Sequence, residues 1–425
     1  MSATGIPLAS CADQTLAKLA AVTNSAAIAK VDGQTLLGER AMLGGMAIPG
    51  RTSAGGGCKL FDAVDDTIAL NLARAVDREL LPALFETDGL NCQDDEAIAD
   101  RIARSNAAAL VLRGRSMGLA IASVHETSAH ETSAPAANTC VANAWAGGAH
   151  VANAPVANPW AGGACVEIVA GPNALKLARD APRVVDLSGL WAGPLAAHLL
   201  WLAGADVVKV ESRTRPDGMR ANEHFYALLN QGKASVALDF ADANDRQRLL
   251  SLIAASDIVI EAARPRALAQ LGIDAAEIVR TTPGLVWLTI TGHGAVGEAA
   301  NWVGFGDDCA VSGGLSAALS AACGQTGFVG DAIADPLTGL CAALVAWEAW
   351  AARRGGRFGL SMSQVVAQSL ATAAREDTDA LNSALTAWSA AAGQPFPTVD
   401  RRSIGTVPAF GEHTRSYMPN RGARR

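Results

Sequence analysis

Asp335 stands in Asp335-Pro336-Leu337-Thr338-Gly339, where an apolar helix is expected to begin. An aspartate before proline at a helix start is an N-cap by local reading. The helix dipole there favours negative charge by about 0.3–1 kcal/mol. A carboxylate is also a weak nucleophile, useful once it is ionised and positioned, and the two roles are compatible. Asp331 lies four residues earlier without the following Thr-Gly spacing. Asp307 and Asp308 form a close carboxylate pair of a kind that tunes acid–base chemistry, although a solvated turn is the expectation. His293 ends a strand in Thr291-Gly292-His293-Gly294 and reads as a loop residue ahead of a general base. Gly55, Gly56 and Gly57 form a turn whose amides are candidates for contacting an anion or oxyanion.

The elements that must position these groups fall in two regions. Residues 1–121 show helical periodicity with few strand signals, including the Ala63–Phe85 stretch that ends near Asp88-Gly89. From Pro182 onward the pattern alternates. Val184–Leu187, Val207–Val210, Ser235–Leu238, Ile258–Ile260 and Val286–Ile290 read as strands, with helices expected at Gly193–Ala203 and Asn244–Ala255. Short β-branched runs separated by helices predict βαβ units and a parallel sheet, whose ligands bind beyond the carboxyl ends of the strands. Between the regions, 122–181 reads as a low-complexity linker. His125–Ala129 repeats as His130–Ala134, and Val141–Ala149 recurs as Val156–Ala164. Such composition buries too little apolar surface to order a core. His125, His130 and His150 are irregularly spaced, with no cysteine pair to join them in a metal site.

Composition excludes several classes. The formal charge is −7, and a nucleic-acid binder carries a basic stripe that is missing here. The longest apolar stretches, Ala192–Val208 and Leu337–Trp350, carry His198, Asp206 and Glu348 and fall short of a clean span of about 20 residues. Eight cysteines without a C-x-x-C pair read as reduced thiols. With no signal-peptide pattern at Met1–Cys11, the expected compartment is the cytoplasm, with neither a membrane nor a nucleic acid as partner. The turn Ser188-Gly189-Leu190-Trp191-Ala192-Gly193-Pro194 lacks G-x-G-x-x-G, and no P-loop occurs.

Five segments in order carry a resemblance. They are Val185-Asp186-Leu187 through Ala192-Gly193-Pro194 to Leu202–Glu211; Asn230–Asp239; Ser256–Glu261 through Arg264-Pro265 to Gly272; Thr289–Gly294; and Asp335–Gly339. Together they resemble the family III CoA-transferases, the CaiB/BaiF group that also includes α-methylacyl-CoA racemases. The resemblance implies a Rossmann-like parallel sheet domain over 182–425 with helices on both faces. The Gly55–Gly57 loop and the Ala63–Phe85 stretch resemble the family's smaller domain, placed ahead of the sheet domain instead of after it.

By the same resemblance, Asp335 is the catalytic nucleophile that carries CoA from an acyl-CoA thioester to a carboxylic acid through an aspartyl-CoA intermediate. Coenzyme A is then a substrate, with no permanently bound cofactor and no metal. Gly55, Gly56 and Gly57 are the oxyanion candidates. Trp191, Ala192, Arg213, Lys233 and Leu238 are the CoA-binding candidates, Arg213 and Lys233 as phosphate partners. A homodimer, or a heteromer with a homologue, is the implied assembly. The chain departs from the family pattern at Ala262-Ala263, where Asn-Phe is common, and at Ser212, where a basic residue is common. Phe305 stands where the racemases place a histidine, which disfavours racemisation. A racemase and a non-catalytic partner subunit stand as the alternatives.

Overall fold

The computed structural model describes residues 5–126, 164–263 and 265–417. The repeats at 127–163, with His130 and His150, lie outside them. Two helices open the chain, α1 (Ala9–Thr23) and α2 (Gly33–Leu43). Asp32 caps α2 by accepting from the Thr35 amide at 2.8 Å. Leu16, Leu19, Leu36 and Leu37 are buried in the core that covers one face of a large sheet built from residues 165 onward. These two helices therefore belong with the sheet domain, although the sequence groups them with the small module next to them in the chain.

That module is a three-stranded antiparallel sheet, β1 (Cys58–Asp62), β2 (Thr67–Asn71) and β3 (Ala120–Ser123), with helices that include α3 (Ala107–Met117). Strand alternation decides its packing. Phe61, Ile68, Leu70 and Ile121 face the module's own helices, joining Leu81, Leu84 and Leu110. Leu60, Ala69 and Ala122 face the other way, onto Val311 and Phe328 of the sheet domain. These strands are four or five residues long, and helical periodicity in the flanks masks them in the sequence.

The large sheet has seven strands: β4 (Cys165–Ala170), β5 (Arg183–Asp186), β6 (Asp206–Ser212), β7 (Ala234–Leu238), β8 (Ile258–Glu261), β9 (Val286–Thr291) and β10 (Gly356–Ser361). Their order is β4-β10-β9-β8-β5-β6-β7. All neighbours run parallel except β4, which pairs antiparallel with β10 at the edge. The five strands read from the sequence are all present. The stretch read as linker contains β4, and β10, with two glycines and an arginine, has too weak a strand signature to be read. Helices cover both faces because successive residues point to opposite sides. Val184, Val207, Ile258 and Leu288 join one core, while Val185, Val208, Val259 and Trp287 join the other.

Four helices position the candidate site: α4 (Ala192–Leu202), α5 (Gly306–Ser312), α6 (Ala334–Ala351) and α7 (Met362–Ala390). The chain runs outward from β5 through β6 to β7, then returns to β8 on the other side of β5. The topological switch point, where such sheets open a crevice at the strand ends, therefore lies between β5 and β8. Among the described residues no helix is long and apolar enough to cross a membrane.

Candidate active site

Asp335 occupies the first turn of α6, one residue inside it, and not the N-cap position expected from Asp-Pro. Ile333 stands at the cap without a side-chain bond. The chain enters the helix through Gly330 at φ 75° and Ala332 at φ 43°, the latter a left-handed conformation that costs a non-glycine residue about 1–2 kcal/mol. This turn pushes the aspartate past the cap and leaves its carboxylate free to point elsewhere. It points at α4. Ala192, the first residue of α4, donates its amide to Asp335 Oδ1 at 3.3 Å. That amide is one of the helix's otherwise unpaired terminal donors, so the carboxylate lies between two helix N-termini.

Gly339 explains why the second half of the motif matters. A Cβ there would lie 2.8 Å from the Ala192 carbonyl oxygen and 3.0 Å from Leu195. Its absence lets α4 and α6 approach closely enough for the Ala192 amide to reach Asp335. Gly306, which opens α5, works in the same way. A Cβ on it would collide with Asp335 Oδ2 and the Ala332 carbonyl. Gly306→Ala is expected to displace the carboxylate and lower turnover by on the order of 10²-fold, as misplacements of about 1 Å do. The check is steady-state kinetics beside an unchanged far-UV spectrum.

Around Asp335 the charges are crowded. Burial pushes its carboxyl up to about 7, and Arg40 opposes the rise. Asp307 is likewise pushed up to about 7, by burial first and then by Asp331. Arg40 binds the fully buried Asp331 through both Nε, at 2.8 Å, and Nη2. Its guanidinium carbon lies 4.9 Å from the centroid of the buried Trp191 ring. Asp307 Oδ1 accepts from the strained Ala332 amide at 3.0 Å. The pair read as a solvated turn therefore forms the first turn of α5. Asp307 secures the loop before Asp335, and Asp308, fully buried, caps Phe305.

The carboxylate opens on a cavity of about 240 Å³ lined by Leu190, Ile290, Trp302, Phe305 and, from the small module, Arg74. A second cavity of about 590 Å³ lies beyond the ends of β5, β6 and β8, with Glu211, Thr214, Arg215 and Glu261 in its wall. The two adjoin, since Gly189 and Ala263 line both. Leu190, at φ 65°, sits on this divide. Its amide donates to Asp217 Oδ1 at 3.0 Å, and Asp217 is paired with buried Lys209.

The CoA candidates read from the sequence separate on this geometry. Ala192 touches Asp335 and lines the smaller cavity. Trp191 is 1% exposed, packed edge-on against Phe225, and Leu238 is a core residue of the opposite sheet face. Neither presents a surface to a ligand. Lys233 is 3% exposed and donates to Asp186 Oδ2, the Pro194 carbonyl and Asn230 Oδ1 at 2.9, 2.8 and 3.1 Å. Burial pulls it down to about 8 even beside Asp186. With its three donors engaged it supports the fold and is not available to a phosphate. Lys233→Met is expected to cost on the order of 3 kcal/mol, as breaking a buried pair does; denaturant titration reads that loss. Arg213 is exposed, its Nε on the Ala237 carbonyl at 3.2 Å. Its neighbour Arg215, not singled out in the sequence, lines the larger cavity instead.

The glycine loop has Gly56 donating back to Ser53 at 2.8 Å, so that amide is spent within the turn. Gly55 lies beside Arg40, a Cβ there being 3.5 Å from Nη2, and Gly57 packs on Ala73. His293 is 1% exposed behind the cavity wall. Its Nε2 is 3.4 Å from Asp308 Oδ2, and its Nδ1 is 3.5 Å from Arg115, which pairs with Glu126. Gly304 packs so tightly on it that a Cβ would sit 2.9 Å from Nε2. His293 thus braces the wall. With Asp308 and Cys309 it forms the one metal-like cluster among the described residues. The Cys309 thiol, pushed up by burial and by Asp308, donates to the Gly292 carbonyl at 3.4 Å, as a packed thiol does. His125 is an exposed residue paired with Asp66 at 2.8 Å. The seven described cysteines are all free. Arg40 carries no local motif, since Asp331 lies far away in the chain, and only the fold brings Arg74 to Phe305 and Arg115 to His293.

The doubly wound sheet thus sets a carboxylate between helix N-termini beside two joined cavities at its switch point, the place where sheets of this class bind ligands. Residues 180–408 match the family described as CoA-transferase family III; this is more than half of the chain, and the chain belongs to that family. It is 31% identical over 174 residues to the succinate–glutarate CoA-transferase of Agrobacterium fabrum, covering 37% of this chain and 43% of the relative. It is 30% identical over 173 residues to the succinyl-CoA–D-citramalate CoA-transferase of Chloroflexus aurantiacus, covering 39% and 43%. The chain thus spans less than half the length of these relatives. A solved CaiB/BaiF family protein from Brucella suis is 27% identical, with a TM-score of 0.41 over 46% of this chain and 55% of that one.

Proposed function

We propose that the chain transfers CoA from an acyl-CoA thioester to a carboxylic acid, with Asp335 as the covalent carrier. The observation that carries this reading is the Asp335 carboxylate, held by the Ala192 amide in a cavity that opens toward a larger one at the strand ends. In the first step Asp335 attacks the thioester carbonyl, the C–S bond breaks, and CoA leaves as thiolate with a mixed anhydride formed. The thiolate then attacks the aspartyl carbonyl, releasing the first acid and leaving an aspartyl-CoA thioester. An acceptor carboxylate attacks that thioester, and the thiolate, returning to the new acyl carbon, regenerates Asp335. Two helix N-termini and Arg40 favour the ionised nucleophile against the burial that opposes it.

In this scheme CoA is a substrate, its thiol end in the smaller cavity and its nucleotide in the larger one beside Thr214 and Arg215. The names of the relatives support short carboxylic acids as partners in the exchange. Assembly with a second copy or a homologous subunit belongs to the same proposal, as does a cytoplasmic setting. The racemase alternative is disfavoured, because Phe305, at the position that would need a proton carrier, has no ionisable group. The test is intact-mass analysis after incubation with a panel of acyl-CoA thioesters, with hydroxylamine trapping, on wild type and Asp335→Ala. An adduct on Asp335 that is missing in the variant is expected; its absence with every thioester, together with no CoA binding, would leave the partner-subunit alternative in its place.

A further inference from the structure

We infer that Arg74 selects a dicarboxylic acid, binding the carboxylate that does not react while the other meets Asp335. The inference rests on the transferase reading and names the class of acid it uses. Among the described residues lining the smaller cavity, Arg74 is the one cation and Asp335 the one anion. The rest of the wall is largely apolar, with Leu190, Ile290, Val303, Phe305 and Met362 in it. A cation at an apolar wall is a specificity element, since a ligand that leaves its open donor unmet forgoes charge-assisted bonds.

The side chain is preorganised for this role. Arg74 Nε lies 2.9 Å from Asp77 Oδ1, and Nη2 donates both to Asp77 and, at 2.9 Å, to the Gly118 carbonyl. Asp77 is itself fully buried and accepts from the Arg74 amide at 3.0 Å. The guanidinium carbon lies 5.6 Å from the centroid of the Phe305 ring, another cavity residue. These contacts fix the plane of the group and engage one edge. Among the described residues nothing accepts from Nη1, and the side chain keeps 32% of its exposure. A guanidinium held on one edge and open on the other loses little entropy on binding a carboxylate.

Size points the same way. At about 240 Å³ the cavity is smaller than the roughly 300–1,000 Å³ of pockets for drug-sized ligands. That scale suits a short diacid, and the cavity has Asp335 and Arg74 to meet its two ends. The CoA phosphates do not compete for Arg74 in this arrangement, because the larger cavity with Arg215 receives the nucleotide.

The experiment compares glutarate with pentanoate, acids of equal carbon count that differ in the second carboxylate. Binding of each to the full chain is measured by calorimetry for wild type and for Arg74→Met. The double variant Arg74→Met/Asp77→Asn is measured too, because it leaves no buried carboxylate unpaired. Wild type is expected to hold glutarate at least tenfold tighter, and both variants to bind the two acids alike. No preference in wild type, no glutarate binding, or a preference that survives in the double variant would each overturn the inference. Kinetics separate anchoring from oxyanion stabilisation: anchoring raises KM for glutarate alone, whereas loss of an oxyanion donor lowers kcat for both acids equally and counts against the inference. Asp335 labelling by a thioester is read in parallel. Labelling without the preference overturns the Arg74 inference alone, and the preference without labelling overturns the transferase reading alone.

Discussion

Asp335→Asn is expected to lower kcat by on the order of 10³-fold or more, because in the proposed mechanism the change removes the nucleophile itself. The same variant is expected to be more stable than wild type at alkaline pH. Burial raises the Asp335 carboxyl from 3.8 to about 7, so the folded chain holds this proton more tightly than the unfolded chain between those values. The stability linked to it is complete below 3.8 and is lost as the pH rises through about 7. Asparagine does not ionise, so its advantage in denaturant midpoint should be widest above about 7 and should close toward 3.8. Activity runs the other way. The attacking form is the carboxylate, and the rate of thioester-dependent labelling should climb with pH on a single limb centred near 7. A flat profile across that range, or equal stability of variant and wild type at high pH, would contradict this account of Asp335.

Arg40→Met is expected to have the largest effect on stability. Asp331 is fully buried and held by Arg40 through two donors, and stripping the partner from such a carboxylate costs about 3–5 kcal/mol. The second consequence is electrostatic. At Asp335 the influence of Arg40 exceeds that of either Asp307 or Asp331 taken singly. Its loss should therefore raise the carboxyl further and move the ascending limb of labelling to higher pH. Denaturant titration and the labelling profile read the two effects separately. The double variant Arg40→Met/Asp331→Asn removes both partners, so most of the stability should return while the alkaline displacement of the limb persists. That split is what distinguishes a residue that sets the state of Asp335 from one that only holds the loop in place, and the two single changes are close enough to couple.

Much of the frame was legible because it arises from local pattern. The β-branched runs at Val184, Val207, Ser235, Ile258 and Val286 fix strands, and the intervening helices fix parallel crossovers. The small-module strands were missed because four or five residues carry little alternation. α1 and α2 were grouped with the wrong neighbours, since periodicity says that an apolar face exists and not what it meets. Lys233 shows the same limit in the site. A lysine in a chain whose resemblance implies a CoA site reads as a phosphate partner, and only its three contacts in the fold reveal a buried support.

The sequence by itself determined five of the seven strands of the large sheet, their order along the chain, and Asp335 as the candidate nucleophile. Those depend on spacing and residue type within short windows. Tertiary structure alone decided that Asp335 lies inside its helix and not at the cap, that Ala192 reaches it because Gly339 lets two helices close, and that Arg40, Asp307 and Asp331 set its charge. It also brought Arg74 into the cavity from a module more than 250 residues upstream. The physical reason is that a carboxylate's reactivity is set by burial and by charges within a few ångströms, and those neighbours come from segments that no local pattern connects.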